Sequence, residues 1–274
     1  MTFTADQKVS YERDGFLRVP GVVTGPELDA LRAAVDRVTE EAVAYGRELD
    51  LRGPVELTTE HGFEDWDEFD DKRFLYAKAP DGSRLWRRAE GMWDRDPAFR
   101  HVTAHPGLLD VVRGLNGPEA IAANDSLVVK MPGGGAAVPW HRDPTGQMLV
   151  DGCGDATIDV ICDLYLDEST VENGAVWAIP GTHRDPAATA EPMTFPAPGA
   201  VPLEAAPGDL LVHSGGVLHG SPANTSGALR RTFYLHFPVP SVLTDGWWQR
   251  TDDWVEGQRK LLADMAVERA AAGL

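Results

Sequence analysis

The sequence predicts a mainly β domain of the sandwich or jelly-roll type, flanked by helices. From residue 121 onward the chain consists of short β-prone runs separated by Gly and Pro, and helix-forming composition returns only near residue 252. Short strands at this spacing, without helices between them, favour a sandwich or jelly roll over a sheet with helical crossovers. The 274 residues contain no internal repeat and no low-complexity linker, so one domain is expected over residues 1–274.

The first part of the chain, residues 1–118, is expected to be mostly helical. Residues 5–14 can form a short helix, and the apolar residues 16–20 can form a short strand. A Thr-Gly-Pro-Glu capping box opens a helix predicted over residues 24–45, whose apolar side chains recur at helical spacing. Another helix is predicted at 106–115, where an Asn-Gly pair follows it.

Residues 47–85 are less regular than their surroundings. They carry an acidic and aromatic cluster at 60–71. Such a cluster is either a solvated surface segment or a lid over an active site, because long loops in compact domains often serve function. We count this segment as the lid of the N-terminal part.

The central part, residues 119–240, is predicted to be the jelly-roll core. Its predicted strands lie at residues 121–131, 138–143, 157–166, 175–179, 201–204, 209–213 and 231–238. The last part, residues 241–274, is predicted to be a C-terminal helix. Two tryptophans near its start, Trp247 and Trp248, either cover the mouth of a pocket or seat this helix.

Composition and charge exclude several classes of partner. The net charge is −18, from 25 basic and 43 acidic residues, so a nucleic-acid backbone or an anionic membrane would be repelled at long range. The only cysteines, Cys153 and Cys162, cannot form a disulfide framework and lack the spacing of a zinc site. With no export signal visible, we expect a cytoplasmic protein that acts on a small molecule. The sequence indicates no oligomeric state.

A His-x-Asp tripeptide lies in one of the predicted strands. Because side chains alternate faces along a strand, His141 and Asp143 would project from the same face and Arg142 from the other. An imidazole and a carboxylate, joined by a second imidazole, form the facial triad that binds Fe(II). Such a tripeptide alone is weak evidence, since it is more often a pair of surface polar groups.

A second segment strengthens the metal interpretation. His219 lies at or just beyond the end of a predicted strand, and Arg230 follows it by eleven residues at the start of the next. Antiparallel neighbours joined by such a loop could bring both side chains over one cavity. A guanidinium there matches a carboxylate in bidentate fashion. Arg231 should face away from the cavity, and His213 is a minor rival to His219 as a ligand.

With these segments, the sequence resembles the phytanoyl-CoA dioxygenase-like family of Fe(II)/2-oxoglutarate-dependent oxygenases. The resemblance covers residues 5–238, and its motifs are specific through their order and spacing together. The motifs are Tyr11-Glu-Arg-Asp-Gly-Phe16, Lys130-Met-Pro-Gly133, Trp140-His-Arg-Asp143, Glu172-Asn-Gly-Ala-Val-Trp-Ala-Ile-Pro-Gly-Thr-His183, Pro207-Gly-Asp209 and the run from His219-Gly-Ser221 to Arg230.

The resemblance implies a double-stranded β-helix (jelly-roll, cupin-like) core and a single catalytic domain. It implies that His141, Asp143 and His219 bind Fe(II) and are the catalytic residues. The implied reaction consumes 2-oxoglutarate and O2, releases succinate and CO2, and hydroxylates or otherwise oxidises an unactivated C–H bond. An aspartate at position 143, rather than Gly or Ala, argues against the halogenating branch and for oxygenation.

The resemblance also implies the residues that hold 2-oxoglutarate. Arg230 would bind its far carboxylate, with the Ser221 hydroxyl beside it. Asn124 and Ser126, on the strand before the metal motif, would supply further polar groups; alternatively, they satisfy a strand edge or a turn. Lys130, at the end of the same strand, is expected to be structural.

Two alternatives stay open at the level of sequence. A cupin-like metal enzyme that does not use 2-oxoglutarate would keep three metal ligands but would have no need of Arg230. A non-catalytic ligand-binding jelly roll would leave the coincidence of metal-competent residues unexplained.

The substrate is specified only by class. The cluster Arg84, Arg87 and Arg88 is small for a polyanionic CoA thioester. We therefore expect a small or medium natural-product intermediate, either untethered or attached to a carrier. Residues 47–95 and 184–200 are expected to shape its pocket.

Overall fold

The structure, a computed structural model, describes residues 3–52, 74–78, 82–153, 155–191, 194–244 and 248–274. In these ranges the helices are α1 (Ala5–Asp14), α2 (Gly25–Arg52), α3 (Pro97–Thr103), α4 (Pro106–Asn116), α5 (Pro144–Met148), α6 (Pro240–Thr244) and α7 (Asp252–Ala271). The strands are β1 (Phe16–Val19), β2 (Phe74–Lys78), β3 (Arg84–Glu90), β4 (Asn124–Lys130), β5 (Val138–His141), β6 (Asp159–Tyr165), β7 (Val176–Ala178), β8 (Val201–Leu203), β9 (Leu210–Ser214), β10 (His219–Ser221) and β11 (Arg230–Pro238).

The strands form two antiparallel sheets. The large sheet has the order β1-β9-β6-β11-β4-β3-β2, and the small sheet has the order β5-β10-β7-β8. Several neighbours in these orders, such as β1 and β9 or β4 and β11, are distant in sequence, as in a jelly roll, where the chain crosses between sheets. The predicted fold class, a mainly β jelly roll with flanking helices, is confirmed.

Alternation of side chains gives the large sheet one apolar and one polar face. On β6, Val160, Cys162 and Leu164 belong to the main hydrophobic core, which also contains apolar side chains of α2, α3 and α4. The intervening residues Asp163 and Tyr165 instead line a cavity. Burying the apolar face beneath the helices thus turns the polar face of the same strands toward the cavity.

The helices owe their positions to local sequence and to this core. Helix α1 opens with a capping box, in which the Thr4 hydroxyl accepts from Gln7 N and the Gln7 side chain accepts from Thr4 N. Helix α2 buries Leu31 and Val35 completely, at the helical spacing that the sequence shows. It continues to Arg52, beyond the predicted end at residue 45.

Several elements differ from the sequence prediction. The strand expected at 138–143 ends at His141, and Asp143 instead caps helix α5. The N-terminal part holds β1, β2 and β3 in addition to its helices. The expected lid cluster at 60–71 lies outside the described residues. Among the residues that the structure describes, no helix has the length and apolar character needed to cross a membrane.

Candidate active site

The two sheets bring three metal-competent side chains together. His141, the last residue of β5, is the direct register partner of His219, the first residue of β10. Asp143 lies beside them, with His141 Nε2 4.0 Å from its Oδ1 and His219 Nε2 3.8 Å from its Oδ2. One ligand atom from each residue lies within 4.8 Å of the others, so this cluster could hold a metal ion.

Asp143 lies two residues after the end of β5, where the backbone is still extended. The chain leaves β5 after His141, and Asp143 N donates to Gly215 O at 2.9 Å. Proline follows in the first turn of α5, where its missing N–H is tolerated. The strand predicted to reach Asp143 ends at His141, but the carboxylate of Asp143 still converges with the two histidines while Arg142 points elsewhere, as alternation predicts.

The hydrogen bonds of the two histidines fix which nitrogen faces the carboxylate. Nδ1 of His141 lies 2.8 Å from Pro139 O, and Nδ1 of His219 lies 3.0 Å from Val217 O. A carbonyl only accepts, so each Nδ1 carries the proton of the neutral ring and each Nε2 presents a lone pair. Metal-binding histidines are held in the same way by a hydrogen bond from their other nitrogen.

Burial shapes the electrostatics of the cluster. Burial, followed by the neighbouring His219, lowers the pKa of His141 to about 4. Burial, followed by His213, lowers the pKa of His219 to about 3. Burial also raises the pKa of Asp143, whose Oδ2 is enclosed and has no hydrogen-bond partner among the described residues. Two neutral imidazoles around a buried, under-satisfied carboxylate are a donor set that suits a divalent cation such as Fe(II).

Arg230 lies in the same cavity and suits a carboxylate ligand. It begins β11 opposite Lys130, is 2% exposed, and its guanidinium carbon lies 5.9 Å from the centre of the Tyr165 ring. Within the part of the chain that the structure describes, its Nε and Nη1 are buried without a hydrogen-bond partner. Leaving charged donors unsatisfied is costly unless a ligand completes them. Lys130 instead donates to Ala136 O and Pro222 O, a structural role.

The next residue of β11 faces the opposite side of the sheet. The Arg231 guanidinium binds Asp167, with Nε 2.8 Å from its Oδ2, and it also pairs with Asp36 of α2. Alternation along β11 therefore gives the two adjacent arginines separate tasks, one at the cavity and one at the junction with α2.

The remaining polar residues predicted for co-substrate binding are placed as follows. Ser221 and Asn124 both line the cavity. Ser126, on the same face of β4 as Asn124, is fully buried, and its Oγ has no hydrogen-bond partner among the described residues.

Several of the residues that line the cavity were not identified from the sequence. The cavity has a volume of about 410 Å³, and its floor includes Thr232, Tyr234 and His236 from β11. These residues share strand parity with Arg230, a signal that could have identified them. His236 Nε2 lies 2.5 Å from Asp159 Oδ1, so this histidine has a buried partner.

His213, the sequence-level rival to His219, also lines the cavity. Its ring lies 4.6 Å from that of His219, but its Nε2 lies 3.4 Å from Asp163 Oδ2. Burial opposes its positive charge, yet the hydrogen bond and charge of Asp163 raise the pKa of His213 overall. The metal-competent cluster comprises His141, Asp143 and His219. His213 is thus held by Asp163 beside it.

Arg142, between the two ligands of the tripeptide, points into neighbouring loops. It donates through Nε to Gly216 O at 2.9 Å, and through Nη2 to Asp185 O at 2.9 Å and Ala188 O at 3.1 Å. One guanidinium therefore ties β5 to the segment after β9 and to the loop that follows β7.

Aromatic side chains also pack in and around the cavity. Trp248 lines the cavity and also packs in a cluster with Leu243 and Val255, the latter on the C-terminal helix α7. Its neighbour Trp247 lies outside the described residues. Trp140 stacks on Phe195 with ring centres 5.1 Å apart, which fixes part of the loop expected to shape the pocket.

The chain is similar to known proteins over most of its length. The sequence model of the Phytanoyl-CoA dioxygenase (PhyH) family matches residues 11–232. The chain is 25% identical over 293 residues to phytanoyl-CoA dioxygenase domain-containing protein 1 of Danio rerio, covering 92% of this chain and 97% of that protein. It is 27% identical over 177 residues to L-proline trans-4-hydroxylase of Streptomyces griseoviridis, covering 65% of this chain and 54% of that protein.

Solved structures share the fold. EctD from S. alaskensis, crystallised with 2-oxoglutarate and 5-hydroxyectoine, matches with a TM-score of 0.65 and 20% identity, covering 87% of this chain and 77% of that chain. AviO1 from Streptomyces viridochromogenes Tue57 matches with a TM-score of 0.64 and 22% identity, covering 88% of this chain and 97% of that chain. At such identities the likeness concerns the fold alone.

Proposed function

The chain belongs to the phytanoyl-CoA dioxygenase family, and from this premise we propose that it is an Fe(II)- and 2-oxoglutarate-dependent dioxygenase that hydroxylates an unactivated C–H bond of a small or medium natural-product intermediate. The substrate is either untethered or attached to a carrier. The names of similar structures support a natural-product substrate, since they include a carbocyclase and an epimerase from nogalamycin biosynthesis.

The residues take the following roles in this proposal. His141, Asp143 and His219 hold Fe(II). Arg230 holds the far carboxylate of 2-oxoglutarate with Ser221 beside it. Asn124 and Ser126 supply polar groups near the co-substrate. Bound iron, with 2-oxoglutarate and O2, supplies the oxidative chemistry, in which 2-oxoglutarate becomes succinate and CO2 and the substrate gains one oxygen atom.

The protein contributes orientation and exclusion of water. The carbonyls of Pro139 and Val217 accept from Nδ1 of each imidazole and so keep Nε2 turned toward Asp143, while burial lowers the pKa of both rings and keeps them neutral. Arg142 fixes β5 against two loops, which limits movement of the ligands on either side of it. These contacts preorganise the site before any ligand arrives.

One observation carries the proposal. A largely enclosed metal-competent cluster faces the same cavity as a buried arginine, two of whose donors have no partner among the described residues. A metal enzyme without 2-oxoglutarate would have no use for Arg230 there, because a buried unpaired guanidinium only destabilises the protein.

An anaerobic titration tests the proposal without knowledge of the substrate. Metal-depleted protein is titrated with Fe(II) and then with 2-oxoglutarate, and the weak visible charge-transfer band of the chelate is followed. We expect the band in the wild type and in His101→Ala, which removes a histidine of α3 away from the cavity. We expect no band in His219→Ala. Iron binding without a band would overturn the use of 2-oxoglutarate, and absence of iron binding would overturn the metal site.

A further inference from the structure

Two polar side chains of the cavity floor face each other across the large sheet. Asp163 of β6 is the direct register partner of Tyr234 of β11, and both residues line the cavity. Side chains of directly opposed residues begin about 4.5–5.5 Å apart at Cβ. One small group of a ligand can therefore contact the carboxylate and the phenol together.

This pair lies beside the metal-competent cluster and apart from Arg230. Asp163 Oδ2 lies 3.4 Å from His213 Nε2, and the His213 ring lies 4.6 Å from that of His219. Along β11, Tyr234 follows Arg230 by four residues, which is about 13 Å at the rise of a strand. A ligand group at Asp163 and Tyr234 is thus distant from the arginine proposed to anchor 2-oxoglutarate.

Tyr234 supplies a hydrogen-bond donor. Burial, followed by the negative charge of Asp143, raises the pKa of Tyr234 well above its usual value, so the phenol keeps its proton. In the part of the chain that the structure describes, Tyr234 Oη has no hydrogen-bond partner. A phenol both donates and accepts, so its hydroxyl can donate to a ligand in the cavity.

Residues of β3 hold the Tyr234 ring. The register between β2 and β3 shifts at a β-bulge, and Arg87 and Arg88 next to it both line the cavity. The Arg88 guanidinium carbon lies 5.6 Å from the centre of the Tyr234 ring, and Arg88 Nη2 lies 3.2 Å from Glu90 Oε1. An arginine that is already paired therefore packs on the phenol and restricts its movement.

Asp163 supplies an acceptor. It interrupts a strand whose neighbouring residues Cys162 and Leu164 are fully buried in the main core. A carboxylate in such a strand costs free energy unless its oxygens are hydrogen-bonded. Its contact with His213 uses Oδ2, whereas an ionised carboxylate accepts through both oxygens, with about four lone-pair positions. Asp163 can therefore accept a further hydrogen bond from a ligand.

A hydroxyl group satisfies both members of the pair, because it donates one hydrogen bond and accepts others. A carboxylate of a ligand only accepts, and it would meet the negative charge of Asp163. An ammonium group only donates, and it would compete with His213 for the carboxylate of Asp163. The pair therefore favours a neutral group that is both donor and acceptor.

We propose that the substrate of this oxygenase carries a hydroxyl group that donates to Asp163 and accepts from Tyr234. This inference rests on the proposed function, since it names the substrate class of the same cavity, an alcohol. The cavity volume of about 410 Å³ lies in the range of small-molecule sites. Asp163 and Tyr234 are then specificity-determining residues, which orient the substrate beside the metal-competent cluster.

A competition experiment on the anaerobic protein loaded with Fe(II) and 2-oxoglutarate tests this assignment. The loaded protein is dialysed against an equimolar mixture of small cyclic alcohols and the fluorides, primary amines and carboxylic acids of the same carbon skeletons. Bound compounds are then quantified by mass spectrometry. Fluorine is close to hydroxyl in size but cannot donate, so the ratio of bound alcohol to bound fluoride reports the hydrogen bonds. We expect the wild type to retain alcohols over fluorides by about tenfold or more, since one of the two hydrogen bonds is to a charged group.

Variants identify the residues responsible. Tyr234→Phe removes only the hydroxyl and should reduce the ratio of alcohol to fluoride by about threefold or more. Asp163→Asn keeps the shape of the side chain and should reduce the ratio at least as much, because charge-assisted hydrogen bonds are about twice as strong as neutral ones.

Matched controls make the same changes outside the cavity lining. Tyr11→Phe removes a buried tyrosine hydroxyl, which donates to Thr157 O, and Asp125→Asn replaces a buried carboxylate. Both controls should leave the ratio of alcohol to fluoride intact. The affinity for 2-oxoglutarate should stay the same in Tyr234→Phe and Asp163→Asn, which also shows that these variants are folded.

Several outcomes would overturn the inference. These are equal retention of alcohols and fluorides, retention of no alcohol, a preference for amines or acids, or a preference for alcohols that survives in Tyr234→Phe or in Asp163→Asn. A loss of 2-oxoglutarate affinity in either variant would assign that residue to the co-substrate instead. Failure of the wild type to bind Fe(II) and 2-oxoglutarate, seen before any alcohol is added, would count against the proposed function.

Discussion

His141 and His219 are direct partners across the antiparallel pair of β5 and β10, with ring centres 4.3 Å apart. Each ring donates from Nδ1 to the carbonyl of the residue two positions before it. One strand pair thus aligns two imidazole Nε2 atoms, and the extended segment after β5 adds the carboxylate of Asp143. The metal-competent cluster depends on backbone pairing as much as on the identity of its side chains.

Arg230→Gln should weaken 2-oxoglutarate binding while Fe(II) binding persists. A hydrogen bond to a charged group contributes about 1.5–3 kcal/mol, so the affinity should fall about 10- to 100-fold. Calorimetric titration of the anaerobic Fe(II)-loaded protein measures this. Arg231→Gln is the matched control: it should lower stability, because Arg231 binds Asp167 and Asp36, but it should leave the 2-oxoglutarate affinity unchanged. If Arg231→Gln lost affinity for 2-oxoglutarate and Arg230→Gln did not, Arg231 would be the residue that binds the co-substrate.

Gly146→Ala should destabilise helix α5, whose N-cap residue is Asp143. A Cβ at Gly146 would lie 1.9 Å from Gly215 C and 2.1 Å from Gly216 N, both backbone atoms that cannot rotate away. Overpacking of this kind costs about 1–3 kcal/mol or more. Urea denaturation should show the loss, and Fe(II) affinity should fall with it because Gly215 O accepts from Asp143 N.

Gly257→Ala provides the control for this substitution. Gly257 lies in α7, and a Cβ there meets nothing within 4 Å. Since alanine favours a helix over glycine by about 0.5–1 kcal/mol, this variant should be slightly more stable. Equal stability of the two variants would show that the contact at Gly146 is relieved by backbone movement.

Asp125→Asn should change how stability depends on pH. Burial raises the pKa of Asp125 to about 6, even though Trp93 N donates to its Oδ2 at 2.7 Å. Between its ordinary value of 3.8 and about 6, the folded state holds a proton that the unfolded state has lost. The carboxyl therefore favours folding at low pH, and this contribution is lost as pH rises through about 6.

The size of this pH-dependent contribution to stability can be measured between pH 5 and pH 7. Over this range the contribution of Asp125 should fall by about 1 kcal/mol, whereas asparagine cannot titrate. The stability of Asp125→Asn relative to wild type, from urea denaturation, should therefore rise by about 1 kcal/mol from pH 5 to pH 7. Glu191→Gln, at an exposed carboxylate, is the control for the change in charge. If the free energy of unfolding of Asp125→Asn differs from that of wild type by the same amount at pH 5 and pH 7, the raised pKa of Asp125 is contradicted.

Strand alternation and helical spacing were informative wherever structure is local. The opposite facing of Arg230 and Arg231 follows from the period of two along β11, and the buried stripe of α2 follows from helical spacing. The end of the strand was not predicted: β5 ends at His141, two residues before Asp143, although the carboxylate of Asp143 still converges with His141 as alternation predicts. A strand end is set by its partner, which a single sequence does not display.

The sequence by itself determined the chemical groups of the site and the jelly-roll class, since motif order, strand parity and composition are properties of the chain. Only the tertiary structure decided which groups meet. The contact of His213 with Asp163 and the bulge that turns Arg87 and Arg88 into one cavity arise from pairing between β9 and β6 and between β2 and β3. Such contacts depend on register between distant segments, and register is fixed by the packing of the whole sheet rather than by local preference.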